Sequence, residues 1–247
     1  MPRTALLLHG LPFHSGIWSP VRAALPDDGR RVVAPDLPGY GTSPPLDRDW
    51  SIAAHLRWLE RVGGEHELPG WSELHLVGHE YGGLLAAAIA AERGAASLTL
   101  LSTTLRPAWL AARVAAWPGL HRIFYRRYGG VLYRDRAVAP ADRPALAEAF
   151  PLPGTRAFAD QMRDTGRQLS ASALLTLEGR LRRRLVRAPF PVRLIWGEDD
   201  QTFPPAVGRR LARTLPGASL TLIPGARHLA PWTHGAEIAA CLDARSR

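Results

Sequence analysis

Short apolar runs, four or five residues each, recur along the chain with amphipathic stretches between them. The runs Thr4–Leu8, Arg31–Ala34, Glu73–Val77, Ser97–Leu101, Val192–Trp196 and Ser219–Ile223 predict β-strands. Several are apolar throughout rather than alternating, which predicts strands covered on both faces, as in a parallel sheet. Apolar residues spaced three and four apart predict helices over Ile52–Val62, Tyr81–Arg93, Pro205–Thr214 and Gly235–Ala244. Strands and helices in turn predict an α/β fold with a mostly parallel, doubly wound sheet.

The alternation stops between Leu105 and Pro189. Helix-like pieces, several prolines and three tyrosines (Tyr125, Tyr128, Tyr133) fill that stretch, and Pro189-Phe190-Pro191 returns the chain to the sheet. The pattern divides the protein into a core over residues 1–104 and 189–247 and a helical cap over residues 105–188. Charge marks the same division. All 31 basic residues are arginine, and the net charge is +9. From Arg106 to Arg187 there are 16 arginines against 6 acidic residues, whereas the remainder has 15 against 16. Such a field suits an anionic or carrier-bound substrate or an acidic partner. No nucleic-acid motif accompanies it, so nucleic acid is not an expected partner.

No apolar run approaches the ~18–20 residues that cross a bilayer, so no membrane association is expected. The first apolar run is too short for a secretory signal and reads as a strand. The lone cysteine, Cys241, excludes an internal disulfide and falls in a helical pattern, where a packed thiol is expected. A cytoplasmic location is the default. No ligand cluster or dinucleotide fingerprint is present, so neither a metal nor an organic cofactor is implied.

Four blocks carry chemistry, each following a predicted strand. They are His9-Gly10-Leu11-Pro12; Asp36-Leu37-Pro38-Gly39-Tyr40-Gly41-Thr42-Ser43; Gly78-His79-Glu80-Tyr81-Gly82-Gly83; and Trp196-Gly197-Glu198-Asp199-Asp200 with Pro224-Gly225-Ala226-Arg227-His228. In the third block, a sharp glycine-flanked turn joins an apolar strand to a helix. Gly78, Gly82 and Gly83 give room for the helix to approach the strand, and residue 80 projects above the carboxyl ends of the strands, where ligands bind in open α/β sheets.

In this order the blocks resemble the α/β-hydrolase family over nearly the whole chain, and the glycine turn matches its nucleophile elbow. The resemblance implies the α/β-hydrolase fold with a helical cap. It also implies a triad of Glu80, His228 and Asp200, the aspartate orienting the histidine. The backbone N–H groups of Leu11 and Tyr81 are then expected to bind an oxyanion or a substrate oxygen. His9 and His79 match positions that support loop geometry. The elbow usually carries Ser. It is closest to the epoxide hydrolase and haloalkane dehalogenase branch, where it usually reads G-H-D-W-G-G and an Asp attacks saturated carbon.

A glutamate cannot act as an alkoxide, and three reactions follow from it. As a carboxylate nucleophile it would form an ester with a small organic substrate, and His228–Asp200 would activate the water that hydrolyses it. Tyr125, Tyr128 and Tyr133 are candidates to donate to an opening epoxide oxygen. As a general acid or base it would serve lyase or cyclase chemistry, of the kind some relatives perform in natural-product pathways. Paired with protonated His228, it would merely line a ligand-binding pocket. Glu is one methylene longer than Asp, and ~1 Å of misplacement costs on the order of a hundredfold in rate, so the position of the carboxylate decides among these.

Overall fold

The computed structural model describes residues 4–47, 49, 51–105, 136–150 and 178–243. Among them six strands form one parallel sheet: β1 Thr4–Leu8, β2 Arg31–Val33, β3 Leu74–His79, β4 Ser97–Leu101, β5 Val192–Gly197 and β6 Ser219–Ile223, in the spatial order β2-β1-β3-β4-β5-β6. All six predicted strands are present. Ala34 lies beyond β2, β3 begins one residue later than predicted and continues to His79, and β5 gains Gly197.

The helices are α1 Ser19–Ala24, α2 Ile52–Glu65, α3 Tyr81–Arg93, α4 Arg143–Ala149, α5 Glu178–Val186, α6 Pro205–Thr214, α7 Ala230–Thr233 and α8 Gly235–Asp243. α3 and α6 have the predicted bounds. α2 runs one turn longer, ending at Glu65 before Glu67 turns to positive φ. α1 has no counterpart among the predicted helices. It is only six residues long and carries Pro20 in its first turn, so its period is too short to register.

Two hydrophobic layers cover the sheet, because alternate strand residues face opposite ways. Leu6 and Leu8 of β1 pack with Leu76, Leu98, Leu100 and Leu194 against α2, α3, α5 and α6. Ala5 and Leu7 pack with Val77, Leu101, Ile195 and Ile223 against α1 and α8. The continuous apolar runs therefore mark the central strands. The outer strand β6 is buried only at Ile223 along its length and alternates. Within the stretch read as an insertion, Leu181 and Leu185 of α5 belong to the first layer, and Ala137, Val138, Leu146 and Phe150 to the second. Tyr125, Tyr128 and Tyr133 lie outside the described residues.

The tightest packing is where β3 meets α3. A Cβ on Gly78 would overlap the Gly82 carbonyl, and one on Gly82 would overlap the backbone carbonyls of Leu8 and His9. These contacts set the helix directly against the strands and bring its first turn to the top of the sheet. Gly82→Ala is expected to destabilise the protein by about 1–3 kcal/mol through overpacking. Gly64→Ala, on the open face of α2 where nothing lies within reach of a new Cβ, is expected to be neutral or stabilising by up to about 1 kcal/mol. Urea unfolding of both variants checks this. Equal effects would contradict the packing argument.

Candidate active site

Glu80 occupies the turn between β3 and α3 with φ 52° and ψ −115°, a left-handed conformation that few residues tolerate. Such strain costs on the order of 1–3 kcal/mol and persists only where the surroundings enforce it. Here the enforcement is explicit. The Glu80 N–H donates to the Leu101 carbonyl at 3.0 Å. The Glu80 carbonyl accepts from the N–H groups of Gly83 and Leu84, at 3.1 and 3.2 Å, and from the Thr103 hydroxyl at 2.5 Å. The backbone of the turn is thus fully bonded while its side chain faces outward from the sheet.

One oxygen of that side chain, Oε2, accepts two backbone hydrogen bonds: from Leu11 N–H at 2.9 Å and Tyr81 N–H at 2.6 Å. These are the two donors the sequence pointed to, and they converge on the carboxylate itself. Oε1 accepts no hydrogen bond from any described residue. Gly10 makes the approach of the first loop possible, since a Cβ there would lie 2.7 Å from the Glu80 Cβ and 2.8 Å from His79 Nδ1. The Leu11–Pro12 peptide is cis.

A buried histidine orients the Leu11 donor. His9 Nε2 accepts from Leu37 N–H at 2.8 Å, so its proton sits on Nδ1, which donates to the Gly10 carbonyl at 2.9 Å. The Gly10 carbonyl and Leu11 N–H share one peptide plane and point in opposite directions. Pinning the carbonyl therefore aims the N–H at Glu80. Burial lowers the His9 pKa to about 4, which keeps the ring neutral and able to accept. Asp36 ties down the adjoining loop through the N–H groups of Ser15 and Thr42, each at 2.8 Å.

His228 and Asp200 meet across the tops of β5 and β6. His228 Nδ1 donates to Asp200 Oδ2 at 3.0 Å, and both side chains are buried. Asp200 Oδ1 accepts from the N–H groups of Thr202 and Phe203, both at 2.8 Å. Burial would raise the Asp200 carboxyl, but the His228 charge and hydrogen bond, with donors from Phe203 and Ser102, bring it below its ordinary value. Burial would also lower the His228 imidazole. The charge of Asp200, its hydrogen bond and the charge of Glu80 outweigh that and raise it. Glu80 itself is pushed up by burial, a rise opposed by the Leu11 N–H, His228 and the Tyr81 N–H.

Two further contacts hold the His228 loop. His79 Nε2 donates to the His228 carbonyl at 2.9 Å, with the two rings 4.9 Å apart, and Leu229 N–H donates to the Ala137 carbonyl at 2.9 Å. Burial, reinforced by the neighbouring His228, lowers His79 to about 3, so it is a neutral donor. Phe203 packs edge-on against the His228 ring. Sequence reasoning did not single out Ser102, Thr103 or Ala137. Their roles depend on strand adjacency and long-range contact, which leave no local pattern.

Tyr81 turns its ring into the core. Its hydroxyl is buried without a partner, and burial followed by the Glu80 charge pushes the phenol up. Among the described residues no group of three or more His, Cys, Asp or Glu is placed to hold a metal ion, and no helix is long and apolar enough to cross a membrane. Cys241 is partly buried in α8.

Comparison with known proteins gives three results. The sequence profile described as the alpha/beta hydrolase fold matches residues 5–235. A pimeloyl-[acyl-carrier protein] methyl ester esterase from Methylococcus capsulatus is 33% identical over 240 residues, covering 93% of this chain and 89% of that protein. A haloalkane dehalogenase from Mycobacterium marinum is 31% identical over 169 residues, covering 62% of this chain and 55% of that protein. Among solved structures, a thermophilic esterase from Thermogutta terrifontis superposes with a TM-score of 0.74 at 24% identity, covering 97% of this chain and 87% of that one.

The convergence of two N–H groups on residue 80 generates a direct test. Glu80→Ser shortens the side chain, vacates both donors and leaves a hydroxyl beside the His228–Asp200 pair. It is expected to hydrolyse p-nitrophenyl butyrate at least about a hundredfold faster than Glu80→Ser/His228→Ala, the order of rate that such donors supply. Equal rates in a spectrophotometric assay would show that the vacated donors and His228 do not act together.

Proposed function

The chain belongs to the alpha/beta hydrolase fold family, and on that premise we propose that it is a hydrolase of small organic substrates that uses Glu80 as a carboxylate nucleophile. One observation carries the reading: Oε2 is held by Leu11 N–H and Tyr81 N–H while Oε1 is left without a hydrogen bond among the described residues. The bonded oxygen fixes the carboxylate plane. The other has the lone pairs to attack a saturated carbon that bears a leaving oxygen or halide. The extra methylene of Glu, relative to Asp, is taken up by curling the side chain back onto the N–H that follows it.

The second half of the reaction uses the same contacts. Attack of water on Cδ of the ester places negative charge on the ester's carbonyl oxygen, which is the oxygen already seated between the two donors. His228, held in one tautomer by Asp200, takes the proton from that water. Epoxides and related electrophiles fit this chemistry. The haloalkane dehalogenases among the relatives, by their names, also act at carbon–halogen bonds. A serine-type attack on a carbonyl is disfavoured, because the site that would bind the carbonyl oxygen is filled by Glu80.

The cap over residues 105–188, with Tyr125, Tyr128 and Tyr133 as donors to an opening epoxide, belongs to this reading. So does its positive field, which suits an anionic or carrier-bound substrate. A methyl ester esterase named for a carrier-protein substrate stands among the relatives. A second reading rests on the raised Glu80 pKa: burial favours proton transfer at this carboxyl, as in lyase or cyclase chemistry.

The experiment is a trapping one. His228→Gln removes water activation, so exposure to terminal epoxides and primary alkyl bromides is expected to leave one alkyl group on Glu80, read by intact-protein and peptide mass spectrometry. Glu80→Gln is expected to show no adduct. Turnover of any of these compounds by the wild-type protein without an adduct in His228→Gln overturns the nucleophile. Solvent deuterium appearing in unconsumed substrate would then support the acid–base reading.

A further inference from the structure

The surroundings of His228 are lopsided in charge. Asp200 lies on Nδ1, and the Glu80 carboxylate bears on the ring from the elbow. His79, from the end of β3, is buried and neutral; Phe203 offers only a ring edge; and Arg227, next in the chain, sends its guanidinium to the Val138 carbonyl. Two buried carboxylates thus share one imidazole. Both are also tied to backbone N–H groups, which favour the ionised carboxylate. Leaving two buried negative charges without a cation is costly, and the imidazole is the group placed to supply one.

Resting on the reading of Glu80 as nucleophile, we propose that His228 holds a proton while Glu80 is a free carboxylate and releases it when Glu80 becomes an ester, so that the first half-reaction makes the base used in the second. In the first step Oε1 bonds to the substrate carbon, and the bond to the leaving atom breaks with its electron pair on that atom. The ester is neutral, and His228 is left facing Asp200 alone. Its proton passes to the leaving atom when that is oxygen, or to solvent when it is halide. Neutral His228 then takes one proton from water as the hydroxide bonds to Cδ. Collapse expels the product oxygen with the second water proton, and the carboxylate and the imidazolium are restored together.

This order solves a problem of timing. A base that is always neutral would sit beside a carboxylate with no use for it, while a base that is always charged could not activate water. Coupling the two through Glu80 makes the imidazole basic only when an ester is present to be cleaved.

Glu80→Gln provides the neutral state without a substrate. Its amide oxygen can still accept from Leu11 and Tyr81, so the turn is expected to stay folded while the negative charge is lost. The His228 ring signals are followed by NMR through a pH titration in wild type and in Glu80→Gln. The midpoint is expected to fall by about one pH unit or more in the variant, the scale at which a nearby charge acts on a buried group. An unmoved midpoint overturns the coupling even if an ester is trapped in His228→Gln. A lowered midpoint with no ester ever trapped shows instead that the reading of Glu80 as nucleophile has failed, and the proposed step fails with it.

Discussion

Two backbone N–H groups, from Leu11 and Tyr81, meet at one oxygen of Glu80, and the rest of the site is arranged around that meeting. One donor comes from the loop after β1 and the other from the first turn of α3, so they meet only if strand and helix are in near contact. Gly78, Gly82 and Gly10 permit that contact because a Cβ at any of them would strike its neighbour. The strained backbone of Glu80 is tolerated because each of its own polar groups is bonded. Charge at the carboxylate is then set by competition: burial disfavours the ion, while two N–H groups and His228 favour it.

Neutral buried histidines frame this arrangement. His9 pins the Gly10 carbonyl and so aims the Leu11 N–H; His79 pins the His228 carbonyl and so sets the loop that carries the base. Both are held well below the ordinary imidazole range by burial, to about 4 and about 3. Their neighbour His228 moves the opposite way because two carboxylates act on it. Three histidines within one small region thus differ in function because their surroundings differ, not because of their residue type.

The sheet was legible because its central strands are covered on both faces and so appear as unbroken apolar runs. The elbow was legible because its glycines are dictated by contacts near in sequence. Asp200 and His228 could be placed only by their order after predicted strands, as part of the family resemblance. What could not be read is what depends on distance along the chain. Residues 79 and 228 are 149 positions apart, and no periodicity links them. The seating of Glu80 on the Leu11 N–H was equally invisible, since it depends on how far the extra methylene lets the side chain curl back. α1 escaped notice for a simpler reason: six residues with an early proline present less than two turns of pattern.

The central claim is that Glu80 is consumed and regenerated in each cycle, with water entering at its Cδ. Multiple turnovers in ¹⁸O-labelled water, followed by proteolysis and mass spectrometry of the peptide containing Glu80, test it most directly. Incorporation of solvent oxygen into the Glu80 carboxylate is the predicted result. Complete turnover with ¹⁸O in the product and none in Glu80 would contradict the account.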